Sequence, residues 1–91
     1  MDDAAIPALP RGVRLHFDRV RDTWVLLAPE RTVTLDPVGH AILAEVDGER
    51  SLGAIAETLA TRYAAPRDRI AADCAAFLAA LRERLFLELR P

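Results

Sequence analysis

The chain has 91 residues, about half of them apolar, with 12 basic and 14 acidic side chains for a formal charge of −2. A chain of this length builds one core and buries roughly 60 to 65% of its unfolded surface, which favours a binding domain over an enzyme with a walled pocket. The balanced charge lacks the basic field that phosphate neutralisation requires, no apolar run approaches the roughly 18 to 20 residues of a membrane span, and acidic residues stand where a signal peptide is basic, so a cytoplasmic protein without a nucleic-acid partner is expected.

Residues 1–12 contain Pro7, Pro10 and Gly12 without periodicity and read as a flexible N-terminal arm, leaving 13–91 as the single domain. Val13, Leu15 and Phe17 alternate with Arg14, His16 and Asp18, the pattern of a half-buried strand. After the charged link Arg19 to Asp22, the apolar run Thr23 to Ala28 is short enough for a second, buried strand that pairs with the first. Pro29 stops it, and Thr32-Val33-Thr34-Leu35 forms a third short strand.

Asp36-Pro37 is a strong helix start, because the carboxylate caps free amides and proline is preset for the first turn. Val38, Ile42 and Val46 mark the buried stripe, and Asp47-Gly48 is expected to end the helix. Ser51 caps a second helix with Leu52, Ile55, Ala56, Leu59 and Tyr63 on one face. Pro66 opens a third, Ala-rich helix with the stripe Ile70, Cys74, Phe77, Leu78, Leu81 and Leu85. Phe86 to Leu89 suits either a prolonged helix or an extended tail. Three antiparallel strands followed by three helices make an α+β fold, winged-helix-like in its β-β-β-α-α-α order.

Chemistry is sparse. His16, His40 and Cys74 are not at chelating spacings, so no metal is expected, and the single cysteine cannot form an internal disulfide. No phosphate loop, nucleophile motif or close carboxylate pair is present, so neither catalysis nor a cofactor is expected. Trp24 suits an exposed anchor for a ligand, but the favoured expectation is that it packs between hairpin and helices. The alanines of the third helix suit either helix propensity or a surface that another backbone can approach.

The runs Arg14 to Arg21 and Trp24 to Arg31, continued by Leu35-Asp36, Gly39, Ala41 to Leu43, Asp47-Gly48, Ile55, Leu59, Tyr63, Asp73 and Phe77-Leu78, resemble pyrroloquinoline quinone biosynthesis protein D (PqqD). The resemblance covers about residues 10 to 90 and implies a RiPP recognition element. Such a domain binds the leader of a ribosomal precursor peptide, PqqA, and presents it to a radical S-adenosylmethionine enzyme, PqqE. It further implies that the peptide adds as a strand beside Arg31, Thr32, Val33, Thr34 and Leu35 and lies against the third helix. An outermost third strand is a template for such pairing. On the helix, Arg69, Asp73, Ala76 and Ala80 share one face at helical spacing and are the expected second wall. Proline at Val33 is expected to weaken peptide binding without unfolding the helices. The rival readings are a winged-helix DNA-binding regulator and a plain interaction or dimerisation domain; a monomer or weak homodimer is expected.

Overall fold

The computed structural model describes all 91 residues as five strands and three helices. In chain order these are β1 (Ile6–Ala8), β2 (Arg14–Asp18), β3 (Thr23–Ala28), β4 (Arg31–Thr34), α1 (Pro37–Leu43), α2 (Leu52–Tyr63), α3 (Arg67–Glu83) and β5 (Glu88–Arg90). The expected antiparallel sheet forms in the order β2-β3-β4, with Leu15 opposite Leu26 and Leu26 opposite Val33.

Local chemistry explains the turns. Asp18 accepts hydrogen bonds from the Val20 and Arg21 amides at 3.0 and 3.2 Å and closes the β2–β3 hairpin. Between β3 and β4 only Pro29 and Glu30 intervene. Proline presets the first turn position, and Glu30 takes a φ of 62°, a region that usually favours glycine.

Alternation sends Leu15, Leu26 and Val33 to the helical side of the sheet. There Leu26 and Leu35 join Ile42 and Leu43 of α1, Ile55 and Leu59 of α2, and Cys74, Leu78 and Leu81 of α3 in one buried cluster. Asp36 caps α1 through the Gly39 amide at 2.7 Å, and Ser51 caps α2 through the Ala54 amide at 3.2 Å, as their sequence positions predict.

The structure departs from the sequence reading at four places. The arm is not free: β1 pairs with β5, with Pro7 opposite Leu89, and both Pro7 and Ala8 are buried. The arm also caps α2, because the Ala5 carbonyl accepts from the Leu52 amide at 2.7 Å and the Asp3 carbonyl from the Gly53 amide at 3.0 Å. These are amides that a helix start leaves without internal partners. The chain after α3 is accordingly an extended strand, not a prolonged helix, and the segment before it anchors the core through fully buried Phe86.

Secondly, α1 ends at Leu43, before Asp47-Gly48. The amides of Glu45 and Val46 bond to Ile42 and Leu43, three residues back, which tightens the chain into a turn. Asp47 then accepts from the Glu49 and Arg50 amides, both at 2.9 Å. The Arg50 guanidinium secures this linker by bonding the Glu45 carbonyl at 2.7 Å, the Glu45 carboxylate at 2.9 Å and the Thr58 hydroxyl at 3.3 Å.

Thirdly, Val38, Tyr63 and Leu85, placed on buried stripes by spacing, are 65%, 58% and 75% exposed. Each lies near a helix end, where the neighbouring element no longer covers the stripe. Leu85 has left the helix altogether, with a φ of 66°. Fourthly, Trp24 is only partly covered: its ring stacks on His40 at 4.3 Å between centroids and meets Phe17 edge-on at 5.5 Å.

Candidate peptide-binding edge

β4 is outermost in its sheet, so one row of its backbone groups has no strand partner. Register identifies that row. The Leu35 amide donates to the Trp24 carbonyl of β3 at 3.0 Å. Antiparallel strands alternate between inward- and outward-directed backbone groups, so Arg31 and Val33 also point toward β3. The peptide groups of Thr32 and Thr34 therefore point outward, and both residues are exposed. Val33 sends its half-buried side chain to the core, and Leu35 is 5% exposed and packs inside.

The same edge lies beside α3. The Arg31 guanidinium, at the start of β4, sits 4.2 Å from the centroid of Phe86, just beyond the helix's C-terminal end. Past the other end of β4, Gly39 lies against Phe77 of α3: a β-carbon at position 39 would come within 3.1 Å of that ring. Glycine is needed here for close approach. Phe86 thus contacts the start of the strand and Phe77 packs on α1 just past its end, so the two ends of the β4 segment border the C-terminal half of α3 and the chain directly after it.

Of the helix residues expected as a second wall, Ala76 and Ala80 are exposed and lie in this same half of α3. Arg69 and Asp73, nearer its start, border a different feature, a cavity of about 450 Å³ between α1, the end of α2 and α3. Its walls are mainly apolar and include Val38, Ile42, Tyr63 and Ile70. Of the four helix residues, Arg69 and Asp73 line the cavity and Ala76 and Ala80 do not. Leu35 borders a second depression with Trp24, His40 and Tyr63, residues that the sequence pattern had assigned to the core or left without a role.

Cys74 also lines the larger cavity but is 1% exposed. Burial, reinforced by neighbouring Asp73, pushes its thiol pKa up, so it remains a protonated core residue at neutral pH.

Comparison with known proteins agrees with this architecture. A family model described as Coenzyme PQQ synthesis protein D (PqqD) matches residues 23–87. The chain is 47% identical over 83 residues to a "PqqA binding protein" of Xanthomonas oryzae pv. oryzae, covering 91% of this chain and 90% of that one. It is 41% identical over 87 residues to a "PqqA binding protein" of Bradyrhizobium diazoefficiens, covering 96% and 84% of the two chains. Among solved structures, the chain superposes with a TM-score of 0.83 on the PqqD portion of Methylobacterium extorquens PqqCD, described as a functional and stand-alone RiPP recognition element. That pair is 46% identical, with 96% of this chain and 93% of the other covered. The matched region spans β3 through Leu87, so the free strand, its helical neighbour and the core that holds them all lie in the shared unit, and the chain belongs to the PqqD family.

Proposed function

We propose that this protein is a non-catalytic peptide chaperone of pyrroloquinoline quinone biosynthesis. It binds the ribosomal precursor PqqA as an added strand along β4 and presents it to the radical S-adenosylmethionine enzyme PqqE. The observation that carries the reading is the free edge of β4, whose Thr32 and Thr34 backbone groups point outward beside α3. Main-chain pairing supplies affinity in such additions, and alternate side chains of the peptide meet the adjoining wall. Arg31, Thr32, Val33, Thr34 and Leu35 form the strand side; Ala76 and Ala80 leave space on the helix side, with Arg69 and Asp73 further along α3. The names of the PqqA-binding relatives support the choice of peptide.

The DNA-binding alternative finds little support at the start of α3, where Arg67 is paired with Asp3 and Asp68. The deciding experiment is titration of the chain with synthetic PqqA, observed by backbone amide shifts. Perturbations concentrated on Thr32, Thr34 and the Ala76–Ala80 face are expected; saturable binding that leaves β4 unperturbed would overturn strand addition. Presentation is tested separately: PqqE is expected to retain PqqA more tightly when the chain is present, and equal retention with and without it refutes that role.

A further inference from the structure

Arg31 and Arg84 lie against the same ring. Their guanidinium carbons are 4.2 and 5.3 Å from the centroid of buried Phe86. Four of the twelve arginines, Arg21, Arg50, Arg62 and Arg67, have carboxylate partners; among the other eight, which have neither a carboxylate nor a protein hydrogen-bond acceptor, Arg31 and Arg84 are the two that meet on one aromatic ring. One aromatic face or edge holds each cation in place without neutralising it, and two like charges on one ring repel. An anion from outside relieves that repulsion and meets two preset forks of donors.

Their place in the fold points to its source. Arg31 and Val33 are two apart on β4 and send their side chains to the same side of the sheet. A strand paired with the free edge presents one side chain opposite Arg31 and, two residues along, another opposite Val33, which is half-buried against the core. We infer that Arg31 and Arg84 form a carboxylate subsite for the bound precursor, whose strand-forming segment carries an acidic residue two positions from an apolar one. This inference rests on the strand addition proposed above and deepens it by specifying the peptide's chemistry and register.

The test titrates fluorescent PqqA into the wild-type chain and into Arg31→Gln, Arg84→Gln and the double variant, using peptides in which each acidic residue is changed to its amide in turn. One acid-to-amide change is expected to weaken binding to wild type about three- to tenfold at low salt, with the loss shrinking at high salt. The same change is expected to cost nothing on the double variant. Because glutamine also gives up packing on Phe86, thermal unfolding is measured on the same samples, and Arg84→Glu is paired with a peptide bearing lysine at the identified position, which is expected to restore binding. Unaltered affinity of the double variant for native PqqA overturns the subsite, as does an equal loss from every acid-to-amide change on both proteins. Thr32→Pro separates the two levels: if it blocks binding while the arginine variants do not, strand addition stands and the subsite falls. If Thr32→Pro leaves affinity unchanged, strand addition falls and the subsite falls with it.

Discussion

At the scale of single residues, the direction of one amide decides what a proline does in β4. The sequence pattern nominated Val33 for this test, but register turns its backbone toward β3. Val33→Pro removes a ladder bond, leaves a β3 carbonyl without its donor, and is expected to cost roughly 1 to 3 kcal/mol in urea unfolding. Thr32→Pro acts on the open side, and Arg31 before it is already extended, as a residue preceding proline prefers. Stability is expected to stay within about 0.5 kcal/mol while PqqA affinity falls by about tenfold, the equivalent of one well-formed hydrogen bond. Ala76→Leu provides the matching test across the groove: Ala76 is exposed, so affinity is expected to fall with the unfolding midpoint unchanged. A lower midpoint would place the side chain in the core. Leu85 is a different case, since it holds a φ of 66° while 75% exposed. Glycine suits that left-handed position without giving up buried contacts, so Leu85→Gly is expected to raise stability by about 1 kcal/mol in the same assay.

Among the elements, β1 has the least obvious origin and a large structural role. Its three residues pair with β5, and the chain before it caps α2 and places Asp3 on Arg67. Gly53 makes this passage possible, because a β-carbon there would approach the Asp3 carbonyl oxygen to 3.3 Å. Deleting residues 1–9 removes two helix-terminal hydrogen bonds, at about 1 kcal/mol each, together with the buried contacts of Pro7 and Ala8. Calorimetry is expected to show a Tm lower by on the order of 10 °C. PqqA binding measured well below that Tm is expected to persist, since β1 pairs with β5 and not with β4, and the α3 residue that the deleted segment holds, Arg67, lies at the opposite end of the helix from Ala76 and Ala80.

Over the whole molecule, the linker between α1 and α2 is expected to contribute to acid stability. The hydrogen bond from Arg50 holds the Glu45 carboxyl below its ordinary value of 4.5, with desolvation opposing and Arg62 adding to the effect. Asp47 is lowered by the backbone amides of Arg50 and Glu49. A carboxylate whose pKa is depressed by folding contributes fully above its unfolded value and loses that contribution as pH falls through the folded one. The urea midpoint is therefore expected to hold from neutrality to about pH 4.5 and decline below it. Glu45→Gln is expected to lower the neutral midpoint and flatten the acid decline; an unchanged decline would exclude this network as its source.

Short-range pattern determined a large part of this protein. Alternation in Val13 to Phe17, the caps Asp36 and Ser51, and the helical spacing of Leu52 to Leu59 each express a preference within a few residues, so the three-strand, three-helix order was legible along with the family resemblance. The tertiary structure alone decided which faces are covered and which way edge amides point. Periodicity puts Val38, Tyr63 and Leu85 on a stripe but does not carry the position of the element that would cover them. The pairing of β1 with β5 and the joint contact of Arg31 and Arg84 with Phe86 unite positions far apart in the chain. Such contacts form because the common core closes the loops between them, and no local sequence signal encodes that closure.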